Sequence, residues 1–220
     1  VVPILHECSV EVEKGELAVI VGPNGAGKST VMRVLLGMLE ATSGSVKFDG
    51  KDISMLSTQE RINHGMAFVP QSKNVFPSMT VEENLQMGGF IRKDDISNTI
   101  NEVYELFPIL YEKRKQLAEQ LSGGQRQQVA FGRAMMTKPS IMLLDEPTAG
   151  VSPIVMDEIF SNILDVKNAG MAVLMVEQNA QQALNIADKG FVLVSGRNEH
   201  TGTGKELIND NEVRKKFLGG

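Results

Sequence analysis

A glycine-rich loop between a predicted strand and a predicted helix constrains the fold of this chain most strongly. The loop is GPNGAGKST, residues 22–30; it follows the β-branched run LAVIV and precedes the helical apolar pattern VMRVLLGML. It matches the pattern G-x-x-x-x-G-K-[ST] in the strand–loop–helix context that identifies a P-loop. The loop therefore predicts an α/β domain that binds nucleotide phosphates at the N-terminus of a helix.

The residue types of the P-loop predict that it binds the phosphates of a nucleotide together with Mg²⁺. Glycines let backbone N–H groups turn toward phosphate oxygens, Lys28 supplies a cation for the β- and γ-phosphates, and the Ser29 hydroxyl can ligate Mg²⁺. The alternative is a glycine turn beside a surface lysine. We assign the whole loop to nucleotide binding: Gly22, Pro23, Asn24, Gly25, Ala26, Gly27, Lys28, Ser29 and Thr30.

Strands and helices alternate through most of the remaining chain. The runs MAFVP, SIMLLD, MAVLMVE and GFVLVSG read as strands, and helical patterns separate them, which predicts a mostly parallel sheet covered on both faces. Residues 72–118 carry helical patterns without a convincing strand. We predict one domain over residues 1–220, with an α/β core of residues 1–71 and 119–220 and an inserted helical subdomain of residues 72–118.

Composition narrows the function classes. The net charge of −5 disfavours a nucleic-acid partner, because phosphate backbones are usually met by a basic face. No apolar run approaches the ~20 residues that span a bilayer. The single Cys8 rules out an internal disulfide. The chain starts at Val1 without an initiator Met or a signal pattern, so we expect the natural protein to begin upstream.

Two carboxylates follow the predicted strand IMLLD. Asp145 and Glu146 stand at its C-terminal end, where α/β proteins place their ligands. Beside a P-loop, Asp145 is expected to hold Mg²⁺ through water, and Glu146 to orient or deprotonate the attacking water. The alternative is a helix start, since acidic residues favour the first helical turn.

Two adjacent glycines mark the stretch EQLSGGQRQQ, residues 119–128. Ser122 is a favoured N-cap, and glycines 123 and 124 permit close approach of a ligand to the backbone. The stretch therefore predicts the exposed amide end of a helix, which attracts anions. The plain alternative is a turn and a helix cap.

Three motifs follow one another along the chain: the P-loop, LSGGQ about a hundred residues later and LLDEP shortly after it. Together they resemble the nucleotide-binding domain of the ABC ATPases, and the resemblance covers essentially the whole chain. The resemblance implies a P-loop NTPase fold with a mostly parallel sheet, an antiparallel β portion and the inserted helical subdomain. It also implies that two cassettes pack head to tail. The residues that would then act in trans on ATP held by the partner are Ser122, Gly123, Gly124 and Gln125.

Further positions acquire roles from the same resemblance. Gln71 stands where a family glutamine contacts Mg²⁺ and relays to the membrane subunit, so the implied metal site comprises Ser29, Gln71 and Asp145. Gln178 replaces the family's switch histidine; its amide can donate to a γ-phosphate oxygen but cannot titrate, so the site should rely on Glu146 as the base. The alternative for Gln178 is a solvent-facing helix start. The aromatic residue that stacks on adenine in the family is expected upstream of Val1.

Within the family, the stretches VFPSMTVEENLQMG, VEQNAQQALNIADKGFVL and NEVRKKFLG are similar to the F-type ATPase subunit of branched-chain amino acid importers. This similarity implies an ATP-hydrolysing subunit at the cytoplasmic face of the inner membrane, bound to permease subunits and paired with a second ABC ATPase, with a heterodimer favoured. Alternatives are ATPases of urea or other amino acid importers, of lipopolysaccharide export, or of DNA or ribosomal systems. LSGGQ disfavours a P-loop kinase or nucleotide switch.

Overall fold

The computed structural model describes residues 4–217; the end of the NEVRKKFLG stretch and Val1 lie outside the described residues. Strands are numbered in chain order as Leu17–Val21 (β1), Lys47–Phe48 (β2), Lys51–Asp52 (β3), Met66–Val69 (β4), Ile141–Asp145 (β5), Ala172–Glu177 (β6), Lys189–Val194 (β7) and Arg197–Gly202 (β8). The α-helices are Lys28–Leu35 (α1), Thr58–Asn63 (α2), Val81–Gly88 (α3), Ser97–Leu106 (α4), Pro108–Glu112 (α5), Gly123–Met135 (α6), Pro153–Asn168 (α7), Ala180–Ile186 (α8), Gly204–Asn209 (α9) and Asn211–Phe217 (α10).

The main sheet has the strand order β4-β5-β6-β1-β7-β8. All of its neighbours pair in parallel except β7 and β8, which form an antiparallel hairpin, and β2 and β3 form a separate antiparallel pair. The predicted mostly parallel sheet with an antiparallel portion is therefore confirmed.

Helices cover both faces of the sheet. Side chains of β1 alternate between two apolar clusters: Leu17, Val19 and Val21 lie in the cluster with α6, α7 and α8, whereas Ala18 and Ile20 pack on the side of α1. Because both faces are buried, the strand reads as a continuous apolar run rather than an alternating one. This explains why LAVIV stood out in the sequence.

The helix after the P-loop ends earlier than the apolar pattern VMRVLLGML suggests. It stops at Leu35, because Gly37 adopts a left-handed φ of +72° that terminates the helix. The buried Arg61 then donates to the carbonyl oxygens of Val34 and Leu35 at 2.7 Å. The end of the P-loop helix is thus fixed by a side chain from α2.

Residues 72–118 contain α3, α4 and α5, as the sequence pattern predicts, and no named strand among the described residues. Two glycines bring α3 and α6 close together: a Cβ at Gly88 would lie 2.4 Å from the Arg133 carbonyl oxygen, and one at Gly132 would lie 2.8 Å from Leu85. The division into a core and an inserted subdomain stays a prediction. Across residues 4–217, none of the helices is both long and apolar enough to cross a membrane.

Candidate functional site

The strand order brings four of the predicted motifs to one edge of the sheet. β4, β5, β6 and β1 are parallel neighbours, so their C-terminal ends lie side by side. Gln71 follows β4, Asp145 and Glu146 end and follow β5, Gln178 follows β6, and the P-loop follows β1. This edge is where open α/β sheets bind their ligands.

The P-loop backbone has the shape of a phosphate-binding site. Gly25 and Gly27 adopt φ values of +80° and +102°, in the left-handed region that favours glycine. Gly22 has no room for a side chain, since its Cβ would lie 2.1 Å from the Leu193 carbonyl oxygen. Gly27 caps α1 without a side-chain hydrogen bond, so no side chain satisfies the first N–H groups of the helix. These amides fit a bound phosphate.

The Lys28 ammonium is held inside this loop. The side chain is only 5% exposed, and Nζ donates to the carbonyl oxygens of Gly22 at 2.8 Å and of Pro23 at 3.3 Å. Burial lowers the pKa of Lys28, while the charges of Glu146, Glu177 and Asp145 raise it. A cation so placed, with carboxylates nearby, fits a site for a phosphate chain and a divalent metal.

The carboxylates after β5 have unusual environments. Burial raises the pKa of Asp145, the nearby Glu146 raises it further, and Arg33 and Lys28 lower it. Glu146 adopts φ +45°, a left-handed conformation that is strained for a residue with a side chain. Its N–H donates to the Val176 carbonyl oxygen at 2.9 Å, which holds this conformation against β6. Strain of this kind is concentrated at functional sites.

Gln71 and Glu146 lie in contact although 75 residues separate them. The Gln71 side-chain amide Nε2 donates to Glu146 Oε2 at 3.4 Å. Both side chains therefore reach the same point beyond the sheet edge, as the predicted metal and water-activating roles require.

Gln178 is exposed; its backbone N–H donates to Glu177 Oε2 at 3.0 Å, and its carbonyl oxygen accepts the Ala180 N–H at 2.9 Å. Its side-chain amide has no hydrogen-bond partner among residues 4–217. Glu177 itself was missed by the sequence analysis. It is a single carboxylate at the end of the apolar run AVLMV, and that contrast is the signal that could have revealed it.

The predicted helix cap at the signature stretch is confirmed. Ser122 caps α6: the Gln125 N–H donates to Ser122 Oγ, and the Ser122 N–H donates to Gln125 Oε1, both at 3.2 Å. None of the hydrogen bonds found in the described part of the chain joins Ser122–Gln125 to the P-loop. Within one chain, the signature is therefore not joined to the nucleotide loop.

The two signature glycines are not required by the fold of this chain. Neither Gly123 nor Gly124 has a positive φ. A Cβ at Gly123 would make an ordinary contact of 3.5 Å with Val155 Cγ1. At Gly124 the nearest atoms to an added Cβ are those of the Glu158 carboxylate, 2.2 Å away, and that flexible side chain can move. Neither a positive φ nor backbone packing within the described residues therefore explains these two glycines.

The segment TAGVSP joins the β5 carboxylates to α7. Ser152 takes the N-cap position with Pro153 in the first turn, but the Ser152 side chain makes no cap hydrogen bond. Thr148, at the start of the segment, is 1% exposed and bonded to Glu177.

A model of the ABC transporter family matches residues 5–149. The chain is 45% identical to the high-affinity branched-chain amino acid transport ATP-binding protein BraG of Pseudomonas aeruginosa, over 98% of this chain and 93% of that protein. It is 38% identical to the probable branched-chain amino acid transport ATP-binding protein LivF of Archaeoglobus fulgidus, with 98% and 92% covered. It is 34% identical to the lipopolysaccharide export system ATP-binding protein LptB of Haemophilus influenzae, with 98% and 91% covered.

Solved structures agree in fold. The ADP conformation of MJ1267, an ATP-binding cassette of an ABC transporter, superposes with a TM-score of 0.88 at 32% identity, over 99% of this chain and 93% of that one. A dimeric post-hydrolysis state of the cassette MJ0796, bound to ADP and Pi, has a TM-score of 0.75 at 25% identity, over 91% and 90%. The chain is therefore a member of the ABC transporter family, whose ATP-binding cassettes couple ATP hydrolysis to transport.

Proposed function

We propose that this chain is the ATP-hydrolysing subunit of an importer for branched-chain amino acids. The supporting observation is the 45% and 38% identity, over 98% of the chain, to two relatives named for branched-chain amino acid transport. Lipopolysaccharide export is the second candidate, because its ATP-binding protein is 34% identical over the same share. ATPases of urea or other amino acid importers share the same motifs.

The chain's own residues supply the hydrolytic machinery in this proposal. The α1 amides and Lys28 bind the phosphates of ATP, and Glu146 orients or deprotonates the attacking water while Gln71 holds its carboxylate. Gln178 donates its amide to a γ-phosphate oxygen. Ser29, Gln71 and Asp145 would hold Mg²⁺, which neutralises phosphate charge when it is bound.

A second ABC ATPase completes each site. Ser122, Gly123, Gly124 and Gln125 act on ATP held by the partner's P-loop, which is consistent with two glycines that the fold itself does not need. The related MJ0796 cassette is dimeric in a post-hydrolysis state bound to ADP and Pi, which supports a paired assembly. We favour a heterodimer in which the partner carries a histidine at its own switch position, because Gln178 cannot titrate.

The trans arrangement can be tested by mixing two inactive variants. A Ser122→Arg chain keeps its P-loop, and a Lys28→Ala chain keeps its signature, so a mixed dimer has one intact composite site. We expect each variant alone to be inactive and the mixture to regain ATP turnover. A signature acting in cis predicts no recovery, because each chain then carries one defect of its own.

A cleft of about 330 Å³ next to the site is the proposed docking point of a permease segment. Pro70, Lys73, Met87 and Arg133 are among its lining residues, and Pro70 directly precedes Gln71. Phe90, at the exposed end of the helical segment, is 78% exposed. A permease seated there would touch both the Gln71 loop and α3, and would hold the ATPase at the cytoplasmic face of the inner membrane.

Reconstitution tests the transported solute. The chain is purified with its permease and partner ATPase, placed in proteoliposomes with the cognate binding protein, and supplied with ATP and labelled leucine. We expect ATP-dependent leucine uptake that Glu146→Gln abolishes. ATP hydrolysis that is stimulated by lipopolysaccharide, without any leucine uptake, would refute import in favour of export.

A further inference from the structure

Glu177 is a buried carboxylate at the end of a central strand. It ends β6, which lies between β5 and β1, and every other residue of that strand is buried and apolar. Glu177 is 1% exposed, and none of the salt bridges within residues 4–217 includes it. A carboxylate removed from water without an ion partner is costly unless hydrogen bonds satisfy both of its oxygens.

Hydrogen bonds satisfy both oxygens, and they come from two different loops. Oε1 accepts the Thr148 N–H at 3.0 Å and the Thr148 hydroxyl at 2.8 Å. Oε2 accepts the N–H groups of Gln178 at 3.0 Å and Asn179 at 3.5 Å. The Asn179 side-chain amide donates to Thr148 Oγ1 at 3.1 Å and closes the ring. One side chain therefore ties the loop after β5 to the loop after β6.

These two loops carry two of the proposed reacting groups. Thr148 lies two residues after Glu146, and the Gln178 N–H is itself one of the donors to Glu177. The Gln178 carbonyl oxygen also accepts the Ala180 N–H at 2.9 Å, but the Gln178 side chain has no hydrogen bond within the described chain. The direction of the side chain thus depends on a backbone position that Glu177 holds from the N–H side.

We propose that Glu177 is a positioning residue for hydrolysis, which aims the Gln178 amide at the γ-phosphate by fixing its backbone to Thr148. A carboxylate suits this position because it is acceptor-only and can accept all of these donors. The isosteric glutamine would turn an NH₂ group toward at least one pair of N–H or O–H donors. The inference rests on the proposed role of Gln178 and adds the group that makes it effective.

The charge of Glu177 distinguishes a positioning role in hydrolysis from a role in nucleotide binding. The charge of Glu177 reaches Lys28 in the P-loop and adds to those of Asp145 and Glu146. Removing a negative charge near a phosphate site does not weaken the binding of an anion. Glu177→Gln should therefore slow turnover while ATP binds as tightly as before or more tightly.

Two measurements on Glu177→Gln test the proposal without reference to the transported solute. In the nucleotide-free protein, hydrogen exchange should accelerate at least about tenfold at the Thr148 amide or at the Gln178 and Asn179 amides, because the glutamine leaves one of these two sets without its acceptor. With ATP, turnover should fall about tenfold or more, while affinity for a fluorescent ATP analogue is kept. Glu60→Gln is the matched control: Glu60 likewise accepts the N–H and hydroxyl of one residue, Ser57, but at α2, and it should leave turnover unchanged.

The decisive step is a double mutant with Gln178→Ala. If Glu177 acts by aiming Gln178, Glu177→Gln should slow the Gln178→Ala protein by no more than about twofold further. Thr148→Val removes one donor to Glu177, so it should slow turnover less than Glu177→Gln does, and only when Gln178 is present. Thr148→Ser keeps the hydroxyl and should turn over ATP as wild type does. These two variants keep the test valid if Glu177→Gln folds poorly.

Each contrary result has a distinct meaning. Additive losses in the double mutant, or a parallel loss of ATP affinity and turnover, would overturn the positioning role. Normal turnover in Gln178→Ala would refute the proposed role of Gln178 and the inference with it. Slow turnover in Gln178→Ala together with normal turnover in Glu177→Gln would refute the inference about Glu177 but leave the proposed role of Gln178 intact.

Discussion

Replacing Gly123 by alanine distinguishes the role of this residue in the stability of the fold from its role in the proposed dimer. Gly123 is in the first turn of α6 without a positive φ, and an added Cβ would lie 3.5 Å from Val155 Cγ1, an ordinary contact. Where alanine fits the native backbone, it stabilises a protein by about 0.4–1 kcal/mol through a less flexible unfolded chain. For a domain of this size that raises Tm by roughly 1–4 °C.

The same methyl group should damage catalysis. In the proposed dimer, the Gly123 backbone lies against ATP on the partner's P-loop, and an added methyl holds the helix N-terminus away from the phosphate. Losing one such donor costs about a hundredfold or more in rate. We therefore expect Gly123→Ala to melt no lower than wild type, to bind ATP at its own P-loop, and to lose turnover and ATP-dependent dimerisation.

Gly170→Ala is the matched control with the opposite expectation. Gly170, between α7 and β6, has φ +94° with no atom within 4 Å of an added Cβ. Alanine there is strained by about 1–2 kcal/mol and should lower Tm while leaving turnover intact. Thermal unfolding, gel filtration with ATP, and phosphate release measure all three properties. A Gly123→Ala protein with wild-type turnover, or with a Tm several degrees lower, would refute the reasoning.

Four other substitutions test single groups. Lys28→Ala should reduce ATP turnover about a hundredfold or more by removing the cation in the P-loop, and phosphate release within a factor of two of wild type would contradict it. Glu146→Gln should keep ATP binding but slow hydrolysis, so that gel filtration with ATP and Mg²⁺ shows a persistent dimer. Gln178→Ala should slow turnover roughly ten- to a hundredfold, while Gln178→His retains it. Arg61→Met removes the guanidinium donor from four carbonyl oxygens, of which Val34 keeps the Gly37 N–H while Leu56, Leu35 and Ser54 lose their donor, so chemical denaturation should show a loss of at least about 3 kcal/mol, and a smaller loss would mean that water replaces the guanidinium.

Local chemistry explains which predictions from the sequence were confirmed. The strand Leu17–Val21 is apolar throughout because both of its faces are buried, so its composition alone identifies it. Ser122 caps α6 through a bond to a residue three positions away, and a pattern of that range is visible in the sequence. Gly37, by contrast, ended α1 before the apolar pattern did, since its backbone conformation overrides hydrophobic periodicity.

Contacts between distant segments could not be read in the same way. The strand order depends on packing across the whole sheet, and the parallel pairing of β4 with β5 is what places Gln71 beside Glu146. The role of the buried Glu177 was not visible in the sequence, because its partner Thr148 lies 29 positions away. Short-range patterns of apolarity, glycine and capping residues therefore determined the elements and the nucleotide motif. Only the tertiary structure decided which loops meet. A polar group needs a hydrogen-bond partner once folding has buried it, and a linear sequence does not display which groups become buried.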